Sequence, residues 1–251
     1  MKKLFVSESA GFCFGVSRSV KLAEETLKNS SKPCYCLGEL IHNDSVVKKL
    51  KEDGLIVVSS AEEVPPESCV IIRSHGIAEY EYDILSAKNC EIVDASCPKV
   101  KKIHKIVAEA TEKGRIAVMI GMKEHPEVMA ICVWCKNAEV FANAEEFETW
   151  LDKSVENREK PLTLVFQTTQ TQNNLEEIKN ILKKECTNSE YFDTICSATS
   201  IRQFDAAALS KKCGAMVVIG ARHSANSVHL AEICREHCQN VRFISSADEL
   251  N

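Results

Sequence analysis

Gly11-Phe12-Cys13-Phe14-Gly15-Val16 is followed, one helix and one short strand further on, by Leu37-Gly38 and then by His42. The same figure returns twice. Ser96-Cys97-Pro98-Lys99 leads to Ile120-Gly121 and His125, and Ile195-Cys196-Ser197-Ala198 leads to Ile219-Gly220 and Ser224. The spacings Cys13 to Gly38, Cys97 to Gly121 and Cys196 to Gly220 agree to within a single position. Each cysteine stands between an extended segment and a helical stretch, each glycine closes a short strand, and each polar group four residues past the glycine opens another helical stretch. Recurrence at fixed spacing is the mark of one supersecondary unit used several times.

Outward from these anchors, short β-branched runs alternate with amphipathic patterns. The runs at 3–6, 56–58, 70–72, 116–120, 162–166, 216–219 and 241–244 read as strands. The stretches 16–29, 100–112, 174–185 and 200–211 read as helices, and Pro65-Pro66 and the polar stretch 152–160 read as loops. Such alternation predicts an α/β fold of parallel sheets with helices on both faces.

A second strand-to-turn feature occurs in two units. In the first it is Ile71-Ile72-Arg73-Ser74-His75-Gly76, where His75 follows His42; in the second it is Leu164-Val165-Phe166-Gln167-Thr168-Thr169, where Thr168 follows His125. Carried over to Ser224, these two spacings would put a third copy at 257–267, past Asn251. The chain therefore divides into units at 1–96, 97–195 and 196–251, the third reading as incomplete at its C-terminal end.

Composition narrows the function. With 45% hydrophobic and 27% charged residues in 251, the chain has the balance of a globular protein large enough for two or three domains of roughly 80–100 residues. A net charge of −5 makes no electrostatic case for nucleic acid, and the apolar runs are too short to span a membrane. The opening Met-Lys-Lys-Leu-Phe-Val-Ser-Glu breaks its apolar run with an acid and does not read as a signal peptide. Thirteen cysteines, an odd number in a chain of this size, argue for reduced thiols in a cytoplasmic setting, some binding metal and most packing as small hydrophobes.

In doubly wound units ligands bind beyond the carboxyl ends of the strands, where all the marked residues fall. A threefold arrangement would bring Cys13, Cys97 and Cys196 to one centre, at helix N-termini that favour the thiolate. His42, His75, His125 and Ser224 would ring that centre, beside helix N-termini suited to an anion such as phosphate. Three soft ligands fit an iron–sulfur cluster with one open iron, or a zinc with one open position, and spacing alone does not separate the two.

The ordered strings Gly-Phe-Cys-Phe-Gly-Val (11–16), Ile-His-Asn (41–43), Ser-His-Gly (74–76), Asp-Ala-Ser-Cys-Pro (94–98), His-Pro-Glu-Val (125–128), Gln-Thr-Thr (167–169) and Ile-Cys-Ser-Ala-Thr (195–199) resemble the 4-hydroxy-3-methylbut-2-enyl diphosphate reductase family, IspH or LytB, across nearly the whole chain. The resemblance implies three α/β units in a pseudo-threefold trefoil around a central 4Fe–4S cluster held by Cys13, Cys97 and Cys196. It implies that the substrate's allylic oxygen meets the open iron and that His42, His75, His125, Ser224 and Asn226 hold its diphosphate. Glu127 would supply the proton relay, with Thr168 beside the substrate. Two electrons, delivered singly by reduced ferredoxin or flavodoxin, would give isopentenyl and dimethylallyl diphosphate, the last step of the non-mevalonate isoprenoid pathway. A hydroxide leaving group needs an acid, and Glu127 stands two residues from a phosphate-facing histidine at a helix start preset by Pro126.

The chain departs from the family in two places. Ala225 stands where Ser-Ser-Asn is usual, and the segment carrying a further diphosphate-binding serine would follow Asn251. The latter motivates the competing reading of a non-catalytic phosphate- or metal-binding module that keeps the fold. A zinc hydrolase using Glu127 as base is disfavoured, since three cysteines suit structural or redox sites better. Cys132-Val-Trp-Cys135 has the spacing of half a zinc site, but without a second half it reads as packing, as do Cys34/Cys36 and Cys234/Cys238. His104, His229 and His237 receive no role, and His223 is noted for its place beside Ser224.

Overall fold

The computed structural model describes residues 3–250; Met1, Lys2 and Asn251, which the unit boundaries include, lie outside them. α1 (Phe14–Asn29) leads into β1 (Cys34–Leu37), α2 (Asp44–Glu52), β2 (Leu55–Val58), β3 (Cys69–Ile72), α3 (Glu79–Ala87) and β4 (Glu91–Asp94). The strands form one parallel sheet in the order β2-β1-β3-β4. β3 shows why it is central. Its four residues are all buried, Cys69 and Ile71 among the side chains of α1 and α2, Val70 and Ile72 against Ile77 and Leu85 on the other face. Alternate side chains of a strand point to opposite faces, so a strand covered on both sides reads as a continuous apolar run.

The second unit repeats the plan. α4 (Pro98–Glu112), β5 (Ile116–Ile120), α5 (Pro126–Val133), β6 (Ala138–Phe141), α6 (Ala144–Asp152), α7 (Val155–Glu159), β7 (Leu162–Phe166), α8 (Gln172–Glu185) and β8 (Ser189–Tyr191) build a parallel sheet in the order β6-β5-β7-β8. Leu162, Leu164 and Phe166 pack with Phe147, Leu175 and Ile178, while Val165 faces Ile103 and Val128. The third unit comprises α9 (Ser197–Ser210), β9 (Met216–Ile219), α10 (Ala225–His237) and β10 (Val241–Ile244), with β9 and β10 paired in parallel.

The repeat is visible in single hydrogen bonds. The glycine closing each first strand donates its N–H to the end of the second strand: Gly38 to Val58 O, Gly121 to Phe141 O and Gly220 to Ile244 O, at 2.8, 2.8 and 2.9 Å. The units also tie to one another in a ring. Trp134 of the second unit donates from Nε1 to Ile77 O of the first at 3.1 Å. Gln203 of α9 reaches Gln170 O at 3.1 Å, and Arg202 reaches back to Ser9 O and Gly11 O at 3.1 and 2.8 Å.

Two expectations fail. Residues 3–6 are not a strand: Leu4, Phe5 and Val6 are exposed, and no ladder among the described residues includes them. An apolar run becomes a strand only where an edge is available to satisfy its backbone. The stretch 152–160, read as loop, holds α7, whose N-terminus is capped by Ser154 Oγ accepting from Glu156 N–H.

Candidate functional site

Cys13, Cys97 and Cys196 are the N-cap residues of α1, α4 and α9, all with extended backbone. Cys13 Sγ accepts from Val16 N–H at 3.5 Å. Gly15 is the keystone: a Cβ there would lie 2.8 Å from Cys97 Sγ and 3.8 Å from Cys13 Sγ, so the missing side chain is what lets two sulfurs from different units share the space. The Cys97 thiol is pushed up, foremost by burial, with the Lys99 and Val100 N–H groups opposing and the sulfurs of Cys196 and Cys13 adding to the rise. At Cys97 burial thus outweighs the helix terminus expected to favour the thiolate. Two further sulfurs close enough to act on Cys97, beside a glycine cradle, fit a thiolate-bound metal group, whose positive charge inverts this balance.

Backbone bonds bind the thiols to a second cluster. Cys97 N–H donates to Ser74 O and Cys196 N–H to Thr168 O, both at 2.9 Å, so these two cysteines are held by the strand-end feature of the preceding unit. Beside Ser74 stands His75, its ring stacked on His42 at 4.4 Å and edge-on to His125 at 5.5 Å; His42 and His125 are 5.2 Å apart. Donor nitrogens of the three approach within 4.8 Å of one another. Both nitrogens of His42, Nδ1 of His75, Asn226 Oδ1, Thr169 Oγ1 and Gln167 Nε2 are buried without a hydrogen-bond partner. Buried polar atoms are rarely left so, and those of the clustered His42 and His75 rings mark a place for a polar ligand.

Burial holds all three histidines below their ordinary range: His42 lowered, His75 well lowered, His125 to about 4, with neighbouring imidazoles adding to the effect. They are neutral near pH 7. Glu127 N–H donates to His125 Nδ1 at 3.1 Å, which leaves the proton of the neutral ring on Nε2. Pro126 opens α5 at this point, as expected of a helix start after His125.

Glu127, 3% exposed, accepts from Thr168 N–H and Thr168 Oγ1, each at 2.7 Å. Burial raises its carboxyl while the two Thr168 bonds oppose the rise. When the acid is protonated, its O–H can donate to Thr168 Oγ1 and free the threonine proton for a further acceptor. The third unit joins through Ser224, the N-cap of α10, whose Oγ accepts from Ser227 N–H at 3.4 Å.

Sequence reasoning underrated three groups. His223 packs edge-on to His42 at 4.9 Å and meets Glu39 Oε2 at 3.1 Å, joining the third unit to the first. His229 donates from Nδ1 to Thr169 O at 2.7 Å. Their one sequence signal is proximity to Gly38 or Ser224. Cys132 and Cys135 are packed beneath α5, and burial pushes them to about 11 and about 12, in keeping with a packing role. Cys34, Cys36, Cys69, Cys234 and Cys238 are likewise buried.

The LytB protein family model matches residues 4–251. The chain is 41% identical over 254 residues to the 4-hydroxy-3-methylbut-2-enyl diphosphate reductase of Caldanaerobacter subterraneus subsp. tengcongensis, covering 99% of this chain and 85% of the relative. To the Clostridioides difficile reductase it is 38% identical over 250 residues, covering 98% and 87%. It is similar to the solved structure of (E)-4-hydroxy-3-methyl-but-2-enyl diphosphate reductase, the terminal enzyme of the non-mevalonate pathway, with TM-score 0.72 and 35% identity over 99% of this chain and 87% of that one. It is also similar to the Plasmodium falciparum reductase, with TM-score 0.86 and 29% identity over 96% and 76%.

Proposed function

The chain belongs to the LytB protein family, and from that premise we propose how its site performs the reductive dehydroxylation of 4-hydroxy-3-methylbut-2-enyl diphosphate to isopentenyl and dimethylallyl diphosphate. The reaction consumes two electrons and two protons and releases water. Cys13, Cys97 and Cys196, one from each of the units 1–96, 97–195 and 196–251, hold a 4Fe–4S cluster. When bound, that cluster supplies single electrons and a Lewis-acidic iron.

The protein's own groups do the rest. His125 Nε2–H, His42, His75, Thr168, Ser224 and Asn226 receive the diphosphate, which gives the unpartnered ring nitrogens of His42 and His75 an acceptor. Neutral imidazoles can each donate one hydrogen bond and can also take up a proton against the anion. Glu127, its carboxyl raised by burial and thus readier to take up a proton, passes that proton through Thr168 Oγ1 to the leaving oxygen, which departs as water. A module that only bound phosphate would have no use for a buried acid aimed through a threonine. Reduced ferredoxin or flavodoxin supplies the electrons, and thirteen unpaired thiols suit a reducing cytoplasm.

The observation that carries this reading is the meeting of Cys97 and Cys13 sulfurs over Gly15, with Cys196 close enough to perturb Cys97. Anaerobic isolation tests it. About four iron and four sulfide per chain are expected, with Cys97→Ser losing both the visible iron–sulfur absorbance and turnover. Iron-free protein holding stoichiometric zinc at these thiols would overturn it.

A further inference from the structure

The histidine pocket has a cation behind it. Arg73 lies two residues before His75, on the turn leaving β3. Its Nε donates to Gly76 O at 3.1 Å, and Gly76 N–H donates to Arg73 O at 3.0 Å, so the side chain folds back over its own turn. The head of the guanidinium lies against Gly38, where a Cβ would fall 2.5 Å from Nη1. Gly38, at φ +74°, closes β1 four residues before His42. Arg73 therefore occupies the space between the two turns that carry His42 and His75.

This charge is unspent. Among the described residues no carboxylate oxygen comes within 4.0 Å of it to make an ion pair. Glu81, an acid whose field it feels, is engaged elsewhere, accepting from Ala78 N–H at 2.8 Å. Cys36, also facing it, is a buried thiol and uncharged. A largely buried guanidinium without a counter-ion is costly unless something brings negative charge to it. Arg73 opposes protonation of His42, His75 and His125 alike, so its field reaches the whole pocket.

We propose that Arg73 supplies the fixed positive charge of the diphosphate pocket, acting as a positioning residue from behind His42 and His75. The inference rests on the diphosphate reading of that pocket and adds a residue to it. Hydrogen-bond donors alone orient an anion, but a polyanion entering a buried site also needs net charge. The guanidinium keeps that charge at any working pH, whereas the neutral imidazoles acquire theirs only as the anion arrives.

The test uses cluster-loaded enzyme and two substitutions. Arg73→Gln is expected to raise KM for the substrate and the dissociation constant for inorganic pyrophosphate by roughly 10- to 100-fold, the scale of a charge-assisted interaction, with kcat changed by less than about threefold. Arg73→Lys, which keeps the charge and loses the bond to Gly76 O, is expected to stay within about threefold of the parent in both constants. Unchanged pyrophosphate binding in Arg73→Gln overturns the proposal, as does a loss confined to kcat, which would mark the arginine as a turn-stabilising group. Should the glutamine variant not fold, Arg73→Lys decides alone, because a tenfold weakening with the charge retained refutes a role through charge. Pyrophosphate binding is measured without turnover, so an inactive parent enzyme would count against the reductase reading and not against Arg73.

Discussion

Gly15→Ala makes opposite changes to the protein and to its cofactor site. The new methyl would sit 2.8 Å from Cys97 Sγ, where ordinary contacts between such atoms are about 3.5–4 Å, so one partner must retreat by roughly 0.7–1.2 Å. A free thiol can turn away. A sulfur held in a cluster cannot, since metal–ligand distances tolerate shifts of only about 0.2 Å, and forcing the overlap costs about 1–3 kcal/mol. Gly15 is also the second residue of α1, where alanine favours the helix by up to about 1 kcal/mol. The cluster-free variant should therefore melt at or above the temperature of the parent, while anaerobic reconstitution leaves it poor in iron and in visible absorbance. Gly214→Ala is the control, because a Cβ there meets nothing within 4 Å. Full iron loading of Gly15→Ala, or equal loss in Gly214→Ala, would refute the argument that this cradle exists for thiols gathered around a metal group.

Other perturbations separate the roles of the pocket. Glu127→Gln keeps the shape and one acceptor for Thr168 but cannot deliver a proton, so turnover should fall about 10²- to 10⁴-fold with pyrophosphate affinity nearly unchanged; a loss of affinity without a loss of kcat would contradict the relay. Anion binding should take up protons: His125 is held at about 4 in the free protein and rises beside a polyanion, so affinity grows as pH falls from alkaline values toward the histidine range. Calorimetry in two buffers of different ionisation heat checks the sign, and proton release on binding would reverse it. Phe166→Ala, at a fully buried position of β7, should cost about 3–5 kcal/mol in chemical denaturation; under about 1 kcal/mol would show that this strand is not central.

What sequence could and could not foretell follows from where each element lies. The central strands β3, β5 and β7 are apolar on both faces and stand out as β-branched runs, and the cysteine, glycine and histidine anchors lie at strand ends where the repeat puts them. β4, β6 and β8 lie at sheet edges, are short and partly exposed, and carry Glu91, Glu139 and Glu190, so no apolar run announces them. The run at 3–6 misleads in the opposite sense, apolar without a partner strand. The thiol trio was legible because three copies of one motif shared a spacing. His223 with Glu39, and Arg73 against Gly38, arise from side chains of neighbouring turns meeting in space, which no local pattern encodes.

In the proposed function three thiols, one from each unit, hold the group that reduces an allylic diphosphate bound by the histidine pocket. Single-turnover reduction tests it most directly: anaerobically loaded protein, a one-electron reductant and 4-hydroxy-3-methylbut-2-enyl diphosphate, with electrons and products counted together. Two electrons consumed for each isopentenyl or dimethylallyl diphosphate formed, lost together with iron in Cys13→Ser, Cys97→Ser and Cys196→Ser, is the predicted result. Fully iron-loaded protein that leaves the substrate unchanged would contradict it.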